Sequence, residues 1–316
     1  MLVESVVTGS QVELRAVLDQ DVPAVAKFLH VHGEDAGGQA APDVWADAIM
    51  VRWSFEIPNR GFMLLHEGSV VGVYIAFYSE RLIGDEIVRF CNLAAWYVIP
   101  EYRHHSVRLL KALLEQPGYL FTDLSPSAPV VKINRRFGFQ SLDTSLITIR
   151  PGLQWPPLSR RATVTTANDD IEELLDGRDL EIYRDHMKGA GLLQLVVERD
   201  GHYCHLIFRK AKPGRIRKLP FVRLLYASNS DLFQQESRRV ASHLLLRHGA
   251  AEIRAELRLL GDRPFRRAKL RPARQERMFK SPLVKPGQVD YLYSGISHFY
   301  GLFNGSESVY GENSSS

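Results

Sequence analysis

The run Arg103-His104-His105-Ser106-Val107-Arg108 follows an apolar stretch that ends at Ile99-Pro100, and it leads into Leu109-Leu110 and an amphipathic pattern. A strand stopped by proline, then a short basic turn, then a helix start puts unpaired backbone N–H groups and the positive end of a helix dipole in one place. That combination suits a phosphate. His104 and His105 read as part of such an anion-binding pocket and not as a metal pair. A second polar group, His30-Val31-His32-Gly33-Glu34-Asp35, follows an amphipathic segment. No further ligands stand at a spacing that would complete a zinc site with it. A third segment, Ile133-Asn134-Arg135-Arg136-Phe137-Gly138-Phe139, ends a helical pattern at a glycine. Cys91 and Cys204 are isolated in apolar, strand-like runs, which predicts buried free thiols and a reducing, cytoplasmic setting. The sequence has no Walker-type loop, no G-x-S-x-G elbow and no zinc-finger spacing.

The elements around these residues are written twice. Gly61–Ile75 has two apolar runs about the turn Glu67-Gly68, and Gly191–Phe208 has the same form about Asp200-Gly201, each a hairpin signal. The turns are 133 residues apart. The same offset carries the strand ending near Ile99 close to Phe221–Ala227, and the helix at Arg103–Glu115 to Gln234–Arg247. It also carries the strand Tyr119–Leu124 to Glu252–Leu257. A constant offset through successive elements predicts two similar α/β units in tandem. In the first unit Val12–Arg15 reads as a strand, Asp19–Leu29 and Asp43–Trp53 as helices, and Ser145–Arg150 as a closing strand. Pro151-Gly152 and Pro156-Pro157 place the boundary at residues 151–160. The second unit begins near Ala162–Thr166 and closes with a strand at Val289–Tyr293, and a Gly/Ser/Asn-rich tail follows.

A chain of 316 residues fits two domains of about 150 residues each. Residues 1–155 hold 13 Lys+Arg against 17 Asp+Glu, and residues 156–316 hold 27 against 19, so the first half is acidic and the second basic. The basic half has little aromatic interleaving, which argues for a solvated surface over a platform for stacked bases. No apolar run reaches the roughly 20 residues a membrane span needs, and the N-terminus lacks the basic-then-apolar order of a secretory signal.

The order of these pieces resembles the GNAT (GCN5-related N-acetyltransferase) superfamily. The resemblance implies two tandem GNAT-like domains, each a mixed twisted sheet flanked by helices. Residues 1–155 would bind acyl-CoA, 156–304 would form a divergent second domain, and 305–316 a flexible tail. It implies acetyl-CoA or another acyl-CoA as co-substrate, and a small-molecule or peptide amine as acceptor. In that family the fourth and fifth strands splay to admit pantetheine as though it were an extra strand, and a Q/R-x-x-G-x-G/A turn holds the pyrophosphate. Carried over, the cofactor-binding residues are Tyr97, Val98, Ile99, Arg103, His104, His105, Ser106, Val107 and Arg108, with Asn134. Arg103 fits the pattern, Ser106 replaces the first glycine, and Arg108 replaces a small residue. Asn134 holds the place of the tyrosine that serves as general acid to the leaving thiolate, and an amide cannot deliver that proton. His32 and Glu34, in the loop that lines the acceptor side, and a water held by the fourth strand are the candidates for general base.

Two other readings accompany this one. Fem-type peptidoglycan and leucyl/phenylalanyl aminoacyltransferases share the tandem architecture without a conventional CoA turn, and the basic half would then hold tRNA. Alternatively the missing glycines and tyrosine mark a degenerate pair that binds a ligand or partner without turnover. No specific nucleic acid binding is expected at about physiological salt.

Overall fold

The computed structural model describes residues 11–33, 40–53, 55–152, 162–189, 191–211, 219–261, 269–272 and 275–302. The first half runs β1 (Glu13–Ala16), α1 (Val22–His32), α2 (Pro42–Ile49), β2 (Gly61–His66), β3 (Ser69–Ile83) and β4 (Glu86–Val98). It continues through α3 (Ser106–Leu114), β5 (Tyr119–Asp123), α4 (Ala128–Arg136), β6 (Gln140–Ser141) and β7 (Leu146–Ile149). The second half runs β8 (Ala162–Thr165), α5 (Asn168–Leu174), α6 (Gly177–His186), β9 (Leu192–Arg199), β10 (His202–Ala211) and β11 (Phe221–Ala227). Then come α7 (Ser230–His248), β12 (Glu252–Glu256), β13 (Lys269–Arg271), β14 (Met278–Lys280) and α8 (Gly295–Leu302). Both expected hairpins form, and Glu67-Gly68 and Asp200-Gly201 all take positive φ, the tight-turn geometry that the Glu-Gly and Asp-Gly pairs favour.

The strands form two seven-stranded mixed sheets of the same order. One reads β1-β2-β3-β4-β5-β14-β6 and the other, from its opposite end, β8-β9-β10-β11-β12-β7-β13. In each, four strands run antiparallel and the fourth pairs in parallel with the fifth. In the first, α1 and α2 bury Val25, Leu29, Trp45 and Ile49 on one face, while α3 and α4 bury Leu109, Leu110, Leu113 and Val131 on the other. In the second, α7 buries Phe233, Val240 and Leu244 on one face and Ile171 and Tyr183 pack on the other. The chain thus has two mixed α/β units, each a sheet flanked by helices, as the repeat predicted.

The two units exchange strands. The closing strand expected for the first sheet, now Leu146–Ile149, pairs instead with β12 of the second. The matching place beside β5 is taken by β14, from the far half of the chain. Sheet membership therefore crosses the division drawn at residues 155 and 156. The place beside β12 is held by β7 instead, and the strand expected at Val289–Tyr293 is absent. That segment packs as an apolar wedge between the units, with Val289, Tyr291, Leu292 and Tyr293 against Leu120, Leu124, Ile207 and Leu225. α2 stops at Ile49, short of the expected Trp53, whose ring turns away to meet Phe77 at 5.7 Å and Tyr293 at 5.1 Å. Residues 34–39, 212–218 and 303–316, where the sequence suggested a loop, a basic run and a tail, lie outside the described residues.

Candidate active site

β4 pairs with β5 only from Arg89 to Leu93, opposite Tyr119 to Asp123. β4 then continues to Val98, bonded to β3 alone. The cause of the divergence is local: Ala95 has φ 51°, and the β3–β4 register slips between Tyr74 and Ile75. A bulge there bends the strand away from β5 and leaves Ala94–Val98 without a strand partner on that side among the described residues, a site for one added extended chain. Val98 seats its side chain over Gly72, where a Cβ would stand 2.8 Å from it, and the Ile99 N–H donates to Val71 O at 3.1 Å. These contacts hold the end of β4 on the β3 side of the gap.

Beyond Ile99 the chain is helical from Pro100, earlier than the start near Arg103 expected from the sequence. A 3-10 turn, Pro100–His105, runs directly into α3. Within it the Tyr102 N–H donates to Ile99 O at 3.0 Å and the Ser106 N–H to Arg103 O, so these N–H groups are turned inward. Arg103 and His104 are exposed, while His105, Ser106, Val107 and Arg108 are half-buried. The rings of His104 and His105 lie 4.0 Å apart. Partial burial, His104 and Arg108 together push the His105 pKa down. Arg108 neither fills the gap nor points freely: its Nη1 donates to Val12 O at 3.0 Å, which ties α3 to the residue before β1. Arg103 makes no side-chain hydrogen bond or ion pair among the described residues.

On the α1 side of β4, His32 is the last residue of α1 and does not lie in a loop. Its ring stacks near Tyr97, with centroids 6.1 Å apart and planes 15° apart, and Phe28 completes the group. The structure therefore brings His32 and Tyr97 together; Glu34 lies outside the described residues.

On the other face, Asn134 is fully buried at the end of α4, and its Nδ2 donates to Asp123 Oδ2 at 2.8 Å. Asp123, only 4% exposed, also accepts from the Ser125 N–H at 3.4 Å and from the Tyr74 hydroxyl at 3.5 Å. Burial pushes its pKa up to about 6 against the partial relief of these bonds. Asn134 Oδ1 is buried with no partner among the described residues. Trp96 stacks on Tyr74, centroids 4.5 Å and planes 10° apart. Asp123 and Tyr74 were not singled out from the sequence. The signal was present, for Asp123 plus 133 is Glu256, so both copies end the fifth strand on a carboxylate.

The second copy has used the equivalent place for structure. Glu256, 1% exposed, pairs with Arg258 at 2.8 Å and Arg277 at 3.0 Å and accepts from the Tyr291 hydroxyl. Burial pushes its pKa up, but Arg277 and Arg258 outweigh it and hold the group below the usual range. The turn before α7 is an ordinary helix cap, with the Leu232 N–H donating to Asn229 Oδ1 at 3.0 Å. Cys91 and Cys204 are buried thiols, as expected, with the Cys204 pKa pushed up to about 12 by burial. Among the described residues no cluster of His, Cys, Asp and Glu could hold a metal, and no helix is long and apolar enough to cross a membrane.

No family model matches the sequence, and no curated protein matches it. Solved structures do match. A GCN5-related N-acetyltransferase from Anabaena variabilis superposes with a TM-score of 0.56 at 14% identity, over 85% of this chain and 72% of the other. Eis1 from Mycobacterium abscessus gives 0.51 at 16% identity, over 85% and 73%. At these identities the likeness is one of fold. The fold class the sequence resembled is the one this chain has: a GNAT-type tandem of two mixed sheets.

Proposed function

We propose that the protein transfers an acyl group from acyl-CoA to an amine, with the first copy holding the CoA. The observation that carries this reading is the gap between β4 and β5, bent open at Ala95, with its wide end beside the basic turn at Arg103–His105. Pantetheine would lie along Ala94–Val98 as an added strand, and its pyrophosphate would meet the cationic turn, where Arg103 is the unpaired charge. The acceptor would approach from the α1 face, past Tyr97 and His32. An amine attacking the thioester directly needs a site that strips its proton and N–H donors for the oxyanion. His32 or Glu34 supplies the first in this reading, and the free β4 edge supplies the second. The second copy, its fifth-strand carboxylate sealed by two arginines, serves as scaffold.

The test is thiol release from acetyl-CoA in the presence of primary amines of several classes: aminoglycosides, polyamines, amino acids and lysine peptides. Stoichiometric free CoA together with an acylated amine, seen by mass, is the expected result. Bound acetyl-CoA that no amine discharges would turn the reading toward a binding pair without turnover.

A further inference from the structure

Asn134 cannot donate the proton that a departing thiolate needs, yet the buried polar group around it holds one that can be lost. Resting on the acyl-CoA reading above, we propose that the Asp123 carboxyl faces the thioester sulfur and protonates it as the thiol leaves.

The placement follows from the gap. Its wide end, at Val98 and the turn beyond, is where charge is offered. Its closed end is the last paired couple, Leu93 and Asp123. A pantetheine arm carries two amides at peptide-like spacing and is close in length to five extended residues, roughly 16 Å. With its phosphate end at the turn, such an arm reaches from Val98 back to Ala94, so its sulfur arrives at the closed end. The polar groups gathered there are Asp123, Asn134 and Tyr74, and the unpartnered Asn134 Oδ1 is a buried acceptor still lacking a donor.

The comparison between copies separates a structural carboxylate from a reactive one. Glu256, at the same position of the second sheet, is locked by Arg258, Arg277 and Tyr291. Among the described residues no arginine pairs with Asp123. Its partners are an amide, a phenol and one backbone N–H, and it keeps its proton up to about pH 6. A neutral carboxyl that is buried but not ion-paired is the form a general acid needs.

The step balances. The amine lone pair forms the new C–N bond, and the C–S bond breaks with its electron pair on sulfur. Sulfur then takes the Asp123 proton, and the carboxylate is reprotonated from solvent while the amine nitrogen gives its proton to the base on the α1 side.

Two measurements test this without needing the acceptor. Asp123→Cys, incubated with CoA disulfide, should form a mixed disulfide visible by intact mass, at a rate that saturates with CoA disulfide and is blocked by acetyl-CoA. In Glu86→Cys, exposed at the far end of β4, exchange should rise linearly with concentration and be unaffected by acetyl-CoA. In the wild type, bound CoA titrated by its thiolate absorbance should show a midpoint raised by the facing carboxylate. In Asp123→Asn that midpoint should fall by on the order of one pH unit, with CoA still bound. Acetyl-CoA binding to the wild type is measured alongside. If it binds, yet Asp123→Cys is not trapped and the midpoint does not move, Asp123 is a structural group and the proposal fails while the acyl-CoA reading stands. If neither acetyl-CoA nor a longer acyl-CoA binds the wild type, both fall.

Discussion

Arg103 and Arg108 look alike in the sequence but do different work. Arg108 spends a guanidinium N–H on Val12 O, whereas Arg103 faces solvent with no partner among the described residues. Arg103→Ala is therefore expected to weaken acetyl-CoA binding by about tenfold, with the effect shrinking in high salt, and to leave the melting temperature unchanged. Arg108→Ala is expected to lower the melting temperature more than it lowers affinity. Calorimetry and thermal denaturation of both variants separate the two roles. Burial also sets a pH response. His186, His205 and His298 are buried and neutral: burial lowers the pKa of His186 well below 6.5, that of His205 to about 3 and that of His298 to about 4. An unfolded chain takes up protons below about pH 6.5 that these folded side chains refuse. Stability should fall as pH drops from about 6.5 toward 4. Asp123 works in the opposite sense over about pH 4–6, since its folded carboxyl binds the proton more tightly than the unfolded one. Three histidines outweigh one carboxyl, so the melting temperature should decline on acidification, and less steeply in His298→Gln. A rise would contradict the buried, neutral assignment.

The element that makes the site is the bend in β4, and it rests on one residue. Ala95 takes φ 51°, which costs an L residue roughly 1 kcal/mol and is worse for a β-branched one. Ala95→Val should destabilise the protein by about 1–3 kcal/mol and weaken acyl-CoA binding with it, while Ala95→Gly should preserve both. Denaturant titration of each variant checks the first part and calorimetry the second. The sequence showed the two hairpins and the fourth and fifth strands of each copy, because each has a local signal: a Glu-Gly or Asp-Gly pair or an apolar run. It could not show the bulge, since alanine is no turn residue. Nor could it show β14, three residues inside a basic stretch whose place is decided by the open edge of β5.

At the scale of the molecule, the halves are joined by exchange. β7 completes the second sheet and β14 the first, Arg81 forms a bidentate pair with Asp290, and Asn92 Oδ1 accepts from the Gly295 N–H. A fragment of residues 1–155 would carry β7 without its sheet and lack both β14 and α8, whose Phe299 packs on Trp45 and Phe77. It should not fold cooperatively, as circular dichroism on heating would show; a sharp transition would mean that the exchange is dispensable. The 133-residue offset revealed two similar units but not their exchange, because a local pattern says that a strand exists and not which sheet receives it. The asymmetry of the copies is the centre of the account, and it lies in the carboxylates. β11 also runs on past its last pair with β12, at Arg223, so both copies diverge, but Glu256 is sealed by arginines and Asp123 pairs with none among the described residues. Calorimetric titration with acetyl-CoA, and with longer acyl-CoAs, tests it most directly. The account predicts saturable binding at about one molecule per chain, lost on closing the first gap. Two per chain would show that the second copy binds despite its sealed carboxylate, and no binding of any acyl-CoA would remove the first copy as the site.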